Sequence, residues 1–156
     1  PEVVVISARP DTPTGPWPTV PDLRPGEGPL AGIETALAHA FEREYPGVLV
    51  LACDLPLVGS EYLARLLDAF DGTAATATAR DGTPGFEPLC AAYPTSFLAE
   101  ATGLLDRGER AARALFPPSG RIVQVSDGGE GARMINVNTP ADADRARAAL
   151  EGNDRE

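Results

Sequence analysis

Asp54 closes the run Val48-Leu49-Val50-Leu51-Ala52-Cys53, which is apolar at every position. A continuously apolar run of this length is the pattern of a strand covered on both faces in a parallel sheet, and open α/β folds bind ligands at the carboxyl edge of such strands. Leu55-Pro56-Leu57 turns the chain away at once, so the carboxylate is expected on the rim. One carboxylate together with substrate phosphates is the usual way to hold Mg²⁺. Aspartates at strand ends also cap turns and helices, and position alone leaves both roles open. A second group is Gly26-Glu27-Gly28-Pro29-Leu30-Ala31-Gly32, at the entrance to a helical pattern. Glycines there let a ligand approach the exposed N–H groups of a helix N-terminus, whose dipole favours an anion. The same residues also mark an ordinary loop-to-helix junction. Asp22, just upstream, is either an acceptor for a base or ribose or an exposed loop carboxylate. His39, the single histidine, lies between Ala38 and Ala40 in a helical pattern and is read as a solvated or core-edge residue, so no Ser-His-Asp triad is expected. Two cysteines and one histidine make no zinc cluster, and Cys53 and Cys90 are read as buried thiols.

The elements that must position these residues alternate between strand-like and helical patterns, which argues for an α/β layered fold. Glu2 to Ser7 has the composition of a strand, and the Pro/Gly-rich stretch from Ala8 to Pro29 is read as a connection without regular structure. Leu30, Ile33, Leu37, Ala40 and Phe41 recur at helical spacing with Glu34 on another face, and the helix is expected to stop near Pro46-Gly47. After the Val48–Cys53 strand, a helix is expected from Ser60, as N-cap, to Phe70. Strands are expected within 73–79 and 89–93, around the turn signal at 81–85. Helices are expected over 94–105 and 109–116, then strands at 122–125 and 134–137 around a Gly-rich loop. Thr139-Pro140-Ala141-Asp142 combines an N-cap hydroxyl, a first-turn proline and a first-turn carboxylate, opening a last helix to about Leu150. Residues 1–151 are read as a single domain and 152–156 as a tail.

The 156 residues carry 23 acidic and 13 basic side chains, a net charge of -10, and every basic residue is arginine. That balance argues against nucleic acid or an anionic membrane as the main partner, since either needs a clustered cationic face. No apolar run approaches the roughly 18 residues of a membrane span, and the chain is read as a soluble cytoplasmic protein.

Gly28-Pro29-Leu30-Ala31-Gly32, Cys53-Asp54-Leu55-Pro56, Pro88-Leu89-Cys90-Ala91-Ala92-Tyr93, Gly108-Glu109-Arg110 and Asn136-Val137-Asn138-Thr139-Pro140 occur in that order. Together they resemble the GPLAG, CDxP, PLCALY, GER and NVNTP motifs of the MobA-type molybdenum cofactor guanylyltransferases, within the nucleotidyltransferase superfamily. The resemblance implies a Rossmann-like three-layer α/β/α sandwich with a mostly parallel sheet, similar to the nucleotide-diphospho-sugar transferases. It implies transfer of GMP from GTP to molybdopterin with release of pyrophosphate, and other proteins of molybdenum cofactor biosynthesis as partners. Asp54 would be the catalytic residue holding Mg²⁺. Asp22, Gly28, Pro29, Leu30 and Gly32 would join it in binding the nucleotide, and Arg110, Asn136 and Asn138 would face the acceptor. Phosphoryl transfer of this kind asks for positioning and electrostatics more than for a protein nucleophile.

The family's first strand and its glycine-rich loop, of the type LAGGxSxRMGxDK, have no counterpart here, and Glu2 to Ser7 aligns with the family's second strand. The absent strand would be central, leaving two unsatisfied sheet edges. A CTP-using relative with another acceptor, and a non-catalytic nucleotide-binding or adaptor paralogue, are the alternative expectations.

Overall fold

The computed structural model describes residues 2–9, 15–79, 86–116 and 136–153. Its strands are β1 (Val5–Ser7), β2 (Thr19–Pro21), β3 (Gly47–Leu51), β4 (Thr76–Ala79) and β5 (Phe86–Pro94). The helices are α1 (Pro29–Glu42), α2 (Ser60–Ala69), α3 (Leu98–Asp106) and α4 (Pro140–Asn153). β1 and β2 pair in parallel, and β3, β5 and β4 form an antiparallel sheet in that order. Among the described residues, β1 has β2 alone as its neighbour and β3 has β5 alone. α1 packs against both β1 and β3, bridging the two sheets.

The layers follow from the alternation of side chains along β3. Val48 and Val50 pack into the cluster of Leu30, Ile33 and Leu37 from α1 and Ala101 and Leu105 from α3. Leu49 packs the other way, toward Leu55, Cys90 and the α2 residues Tyr62 and Leu66. The apolar run is therefore covered on both faces, but its described neighbour is antiparallel where a parallel one is expected from the pattern. A continuously apolar strand reports coverage on two faces and carries no information on the direction of the next strand.

Other expectations need correction. The Pro-rich connection contains β2, whose Pro21 sits at a strand end where the missing N–H is tolerated. Ser60 is the first residue of α2 and Gly59 its N-cap, with no side-chain capping bond. The 109–116 stretch forms only a 3₁₀ turn at Ala112–Leu115. Gly108, at φ +88°, turns the chain. Glu109 then accepts the N–H groups of Arg110 and Ala111, each at 2.8 Å, so the backbone is capped before a longer helix begins. Phe41 is 65% exposed although its spacing puts it on the apolar face. Glu34, expected on a polar face, is buried. Cys90 is buried as expected, whereas Cys53 is exposed; the two are not joined in a disulfide. The expected turn at 81–85, the strand at 122–125, the Gly-rich loop and the first two residues of the strand at 134–137 lie outside the described residues.

α1 ends in a way the sequence does not announce. Tyr45 N–H donates to the Ala40 carbonyl and Glu44 N–H to the Phe41 carbonyl, the paired bonds of a Schellman motif. The left-handed position of that motif, usually glycine, is occupied by Glu44 at φ +58°.

Candidate functional site

The expected site residues fall into two groups. The first is built on the start of α1. Gly28 is its N-cap, at φ 85° and ψ -174°, a region essentially restricted to glycine. Pro29 follows in the first turn, where its lack of an N–H costs nothing. The Leu30 N–H donates to the Arg110 carbonyl at 3.3 Å, and a Cβ on Gly28 would stand 3.3 Å from the same oxygen. The 108–110 segment is thus seated directly on the helix entrance. The Arg110 guanidinium pairs with Glu27 at 3.3 Å and donates to the carbonyls of Leu105 and Glu109, both at 2.9 Å. The structure puts Arg110 with this group, where the resemblance puts it with Asn136 and Asn138. Gly32 has open space on its Cβ side.

Asp22 joins the same group from the carboxyl end of β2. Its N–H donates to the Ser7 carbonyl at 3.0 Å, which aligns the ends of the two parallel strands. Its Oδ1 accepts the Arg24 N–H at 3.0 Å and lies 3.2 Å from the Thr35 hydroxyl. Arg24 in turn grips both oxygens of the buried Glu34, at 2.9 and 3.2 Å, and pairs with Asp106 at 2.8 Å. The hydrogen bond to Asp106, then that to Glu34, raises the Arg24 pKa further above its already high ordinary value.

The second group surrounds Asp54. The Val137 N–H donates to the Asp54 carbonyl at 2.8 Å, and Asn136 Nδ2 donates to Asp54 Oδ2 at 3.3 Å. The loop ending at Pro140 is thereby stapled to the turn after β3. Its other end is fixed by a capping box. The Asp142 N–H donates to the Thr139 hydroxyl at 3.2 Å, while Asp142 Oδ2 accepts the Thr139 hydroxyl and N–H at 2.8 Å each and the Asn138 N–H at 3.1 Å. These bonds, the Thr139 hydroxyl first, hold the Asp142 carboxyl below the usual carboxylate range. Asn138 is exposed, with its backbone fixed.

Asp54 is half-buried, and its Oδ1 has no protein partner among the described residues. The described residues contain no group of three His, Cys, Asp or Glu side chains placed to hold a metal. A lone rim carboxylate fits a hydrated Mg²⁺ that takes its remaining ligands from substrate and water, and does not fit an all-protein metal cage. His39 lies away from both groups, its side chain 13% exposed and 3.4 Å from Glu2, beside Arg43. A shallow depression lined by Phe41, Glu42, Tyr45 and Thr95 sits at the far end of α1 from Gly28 and touches neither group.

Sequence reasoning does not reach Thr35, Arg24 or Asp106. The one visible signal is a hydroxyl on a helix face that is otherwise Leu, Ile and Ala, downstream of an aspartate in a Pro-rich loop.

Carboxylates just beyond the ends of β2 and β3 and a glycine-bounded helix start, on layered α/β elements, define the class as an α/β domain of the kind that places ligand sites beyond the ends of its strands. The family model described as MobA-like NTP transferase domain matches residues 1–122, and the chain belongs to that family. It is 44% identical over 128 residues to a probable molybdenum cofactor guanylyltransferase of Deinococcus radiodurans, covering 81% of this chain and 63% of that protein. It is 34% identical over 120 residues to the molybdenum cofactor guanylyltransferase of Pseudomonas aeruginosa strain PAO1, covering 76% and 58%. Among solved structures, molybdopterin-guanine dinucleotide biosynthesis protein A from Archaeoglobus fulgidus superposes with a TM-score of 0.68 at 26% identity, over 87% of this chain and 69% of that one. The fold is therefore the Rossmann-like nucleotidyltransferase fold. The matched part of the chain spans about three fifths of the length of these curated relatives.

Proposed function

We propose that the protein carrying this chain transfers GMP from GTP to molybdopterin. In that reaction an oxygen of the acceptor phosphate attacks the α-phosphorus of GTP, the bond from that phosphorus to the bridging oxygen breaks, and pyrophosphate leaves. The observation that carries the reading is the meeting of Asp54 with the Asn136–Asn138 loop, which joins a rim carboxylate to exposed amides at one place. The guanylyltransferase names of the relatives from Deinococcus and Pseudomonas support GTP as the donor.

In this reading Asp22 and the Gly28–Gly32 turn bind the nucleoside end of GTP, with Arg110 fixing the turn through its carbonyl. Asp54 would hold Mg²⁺ through its free oxygen. Bound there, the ion supplies neutralisation of charge on the phosphate oxygens. Asn136 orients the Asp54 carboxylate, and Asn138 offers an amide that both donates and accepts hydrogen bonds, as a pterin edge requires. With no lysine in the chain, the residues described hold anions through backbone N–H groups and arginine. The site acts by positioning and electrostatics, with no covalent intermediate on the protein.

The test is a thermal-shift titration of the intact protein with GTP and with CTP, each with Mg²⁺, followed by a transfer assay on Asp54→Ala. Selective stabilisation by GTP and loss of transfer in the variant are expected. Stabilisation by CTP alone, or transfer unchanged in Asp54→Ala, overturns the proposal.

A further inference from the structure

The Thr35 hydroxyl belongs to a residue only 2% exposed, on the face of α1 that meets the loop after β2. It accepts the Leu23 N–H at 3.0 Å, and its own proton faces two acceptors, the Ala31 carbonyl at 3.0 Å and Asp22 Oδ1 at 3.2 Å. The Ala31 carbonyl already receives a ladder bond, as in any α-helix, whereas the carboxylate is charged, and charge-assisted hydrogen bonds are roughly twice as strong as neutral ones. The Arg24 N–H donates to the same Asp22 oxygen at 3.0 Å. A carboxylate oxygen has about two acceptor positions, so Oδ1 is filled from inside the protein. Asp22 Oδ2 has no protein partner among the described residues. The loop itself is held against rotation by the clasp of Arg24 on Glu34 and Asp106.

We infer that Thr35 is the positioning residue of the nucleoside end: it turns Asp22 so that one oxygen is engaged within the protein and the other is presented as a single anionic acceptor. This rests on the reading of Asp22 as a nucleotide-binding residue. The consequence is one of specificity. A carboxylate with both oxygens free grips a two-donor edge side by side, as the N1–H and amino group of guanine offer. A single oxygen takes one base N–H, or the hydroxyls of a ribose from one side. The geometry also fixes what asparagine would do at position 22. The Arg24 N–H can only donate and so requires an oxygen there, which turns the amide nitrogen of Asp22→Asn outward and replaces the acceptor by a donor.

The experiment measures dissociation constants by calorimetry, with Mg²⁺, for GTP, inosine triphosphate and 2′-deoxyguanosine triphosphate. The intact protein is compared with Asp22→Ala, Asp22→Asn, Thr35→Val, Thr35→Ala and Thr35→Ser. Asp22→Ala and Asp22→Asn are each expected to weaken GTP about 10- to 100-fold, the range of a hydrogen bond to a charged group. Thr35→Val is expected to weaken it about 3- to 10-fold and to raise the KM for GTP with kcat within about twofold, while Thr35→Ser restores binding. The analogue that lacks the recognised donor, on the base or on the ribose, binds wild type more weakly than GTP and loses that deficit in Asp22→Ala. If Asp22→Ala leaves GTP binding unchanged, the nucleotide-binding role of Asp22 fails and the inference with it. If Asp22→Ala weakens GTP while a folded Thr35→Val does not, the role of Asp22 stands and the inference is overturned. Should Thr35→Val not fold, Thr35→Ala decides: wild-type GTP affinity in that variant overturns the inference, and a loss that Thr35→Ser does not share upholds it.

Discussion

Asn136 and Asp54, 82 residues apart in the chain, share a hydrogen bond of 3.3 Å from the amide nitrogen to carboxylate Oδ2. The Val137 N–H reinforces the contact by donating to the Asp54 carbonyl. An amide in this place fixes which carboxylate oxygen faces outward. Partners that orient a metal-binding carboxylate are typically worth about 10- to 100-fold in metal affinity or activity. On the proposed role of Asp54 in holding Mg²⁺, Asn136→Ala is expected to lower transfer by about that factor, with partial recovery at raised Mg²⁺, and Asp54→Ala to lose transfer at every Mg²⁺ concentration. Initial rates over a Mg²⁺ series check both; an Asn136→Ala enzyme with wild-type Mg²⁺ dependence contradicts the assignment.

What the sequence could disclose follows the range of each interaction. The Thr139–Asp142 cap is legible because its signal lies within four residues, and it stands where expected, whereas β3 ends at Leu51, two residues short of the expected Cys53, so that Asp54 lies in the turn beyond the strand. β2 is hidden because prolines argue against a strand unless it lies at an edge, a fact of the assembled sheet. The direction of β5 beside β3 is likewise set by pairing between distant segments. Glu34 looks like a surface residue until Arg24 and Asp106 come in from two other elements. The meeting of Asp54 with Asn136 is not implied by spacing at all, and only the family resemblance brings the two motifs into one argument.

The Arg24–Glu34 pair makes a double-mutant prediction. The Glu34 side chain is 5% exposed, and Arg24 meets both of its oxygens. Removing only the arginine leaves a buried carboxylate without its counter-charge, whereas replacing both partners by apolar residues removes the desolvation problem. Arg24→Met is expected to lower the urea midpoint clearly, and Arg24→Met with Glu34→Met to recover most of the loss. A double variant less stable than Arg24→Met contradicts this account.

Asp142 predicts a pH dependence with a definite sign. Its folded pKa lies below the ordinary 3.8, first because the Thr139 hydroxyl donates to it and then because the Asn138 and Thr139 N–H groups and Arg145 favour the charged form. A carboxylate with a depressed folded pKa binds fewer protons folded than unfolded. Its stabilisation is therefore present above 3.8 and is lost as the pH falls through the lower folded value. Asp142→Ala should be less stable than wild type at neutral pH, and the gap should close below pH 4, about where the unfolded carboxyl protonates. Thr139→Ala removes the N-cap hydroxyl and should cost about 1 kcal/mol. Urea titrations from neutral to acidic pH test the sign, and a gap that widens on acidification contradicts it.

Gly28 and Glu44, on either side of α1, both take positive φ, but they predict opposite substitutions. Gly28, at φ 85° and ψ -174°, occupies a region that side chains essentially never enter, and its Cβ direction meets the Arg110 carbonyl at 3.3 Å. Gly28→Ala should therefore cost about 2–3 kcal/mol and loosen the 108–110 segment from the helix entrance. Glu44, at φ +58°, is in the left-handed helical region, where an L side chain costs roughly 1–2 kcal/mol and glycine costs nothing sterically. Glycine adds unfolded-state entropy of about 0.4–1 kcal/mol, so Glu44→Gly should gain about 0.5–1 kcal/mol on balance. Because the bonds of Tyr45 and Glu44 to Ala40 and Phe41 run through the backbone, the Schellman motif survives this change. Chemical denaturation of the two variants measures both effects. Stabilisation by Gly28→Ala, or destabilisation by Glu44→Gly, would show that backbone strain does not govern the ends of α1.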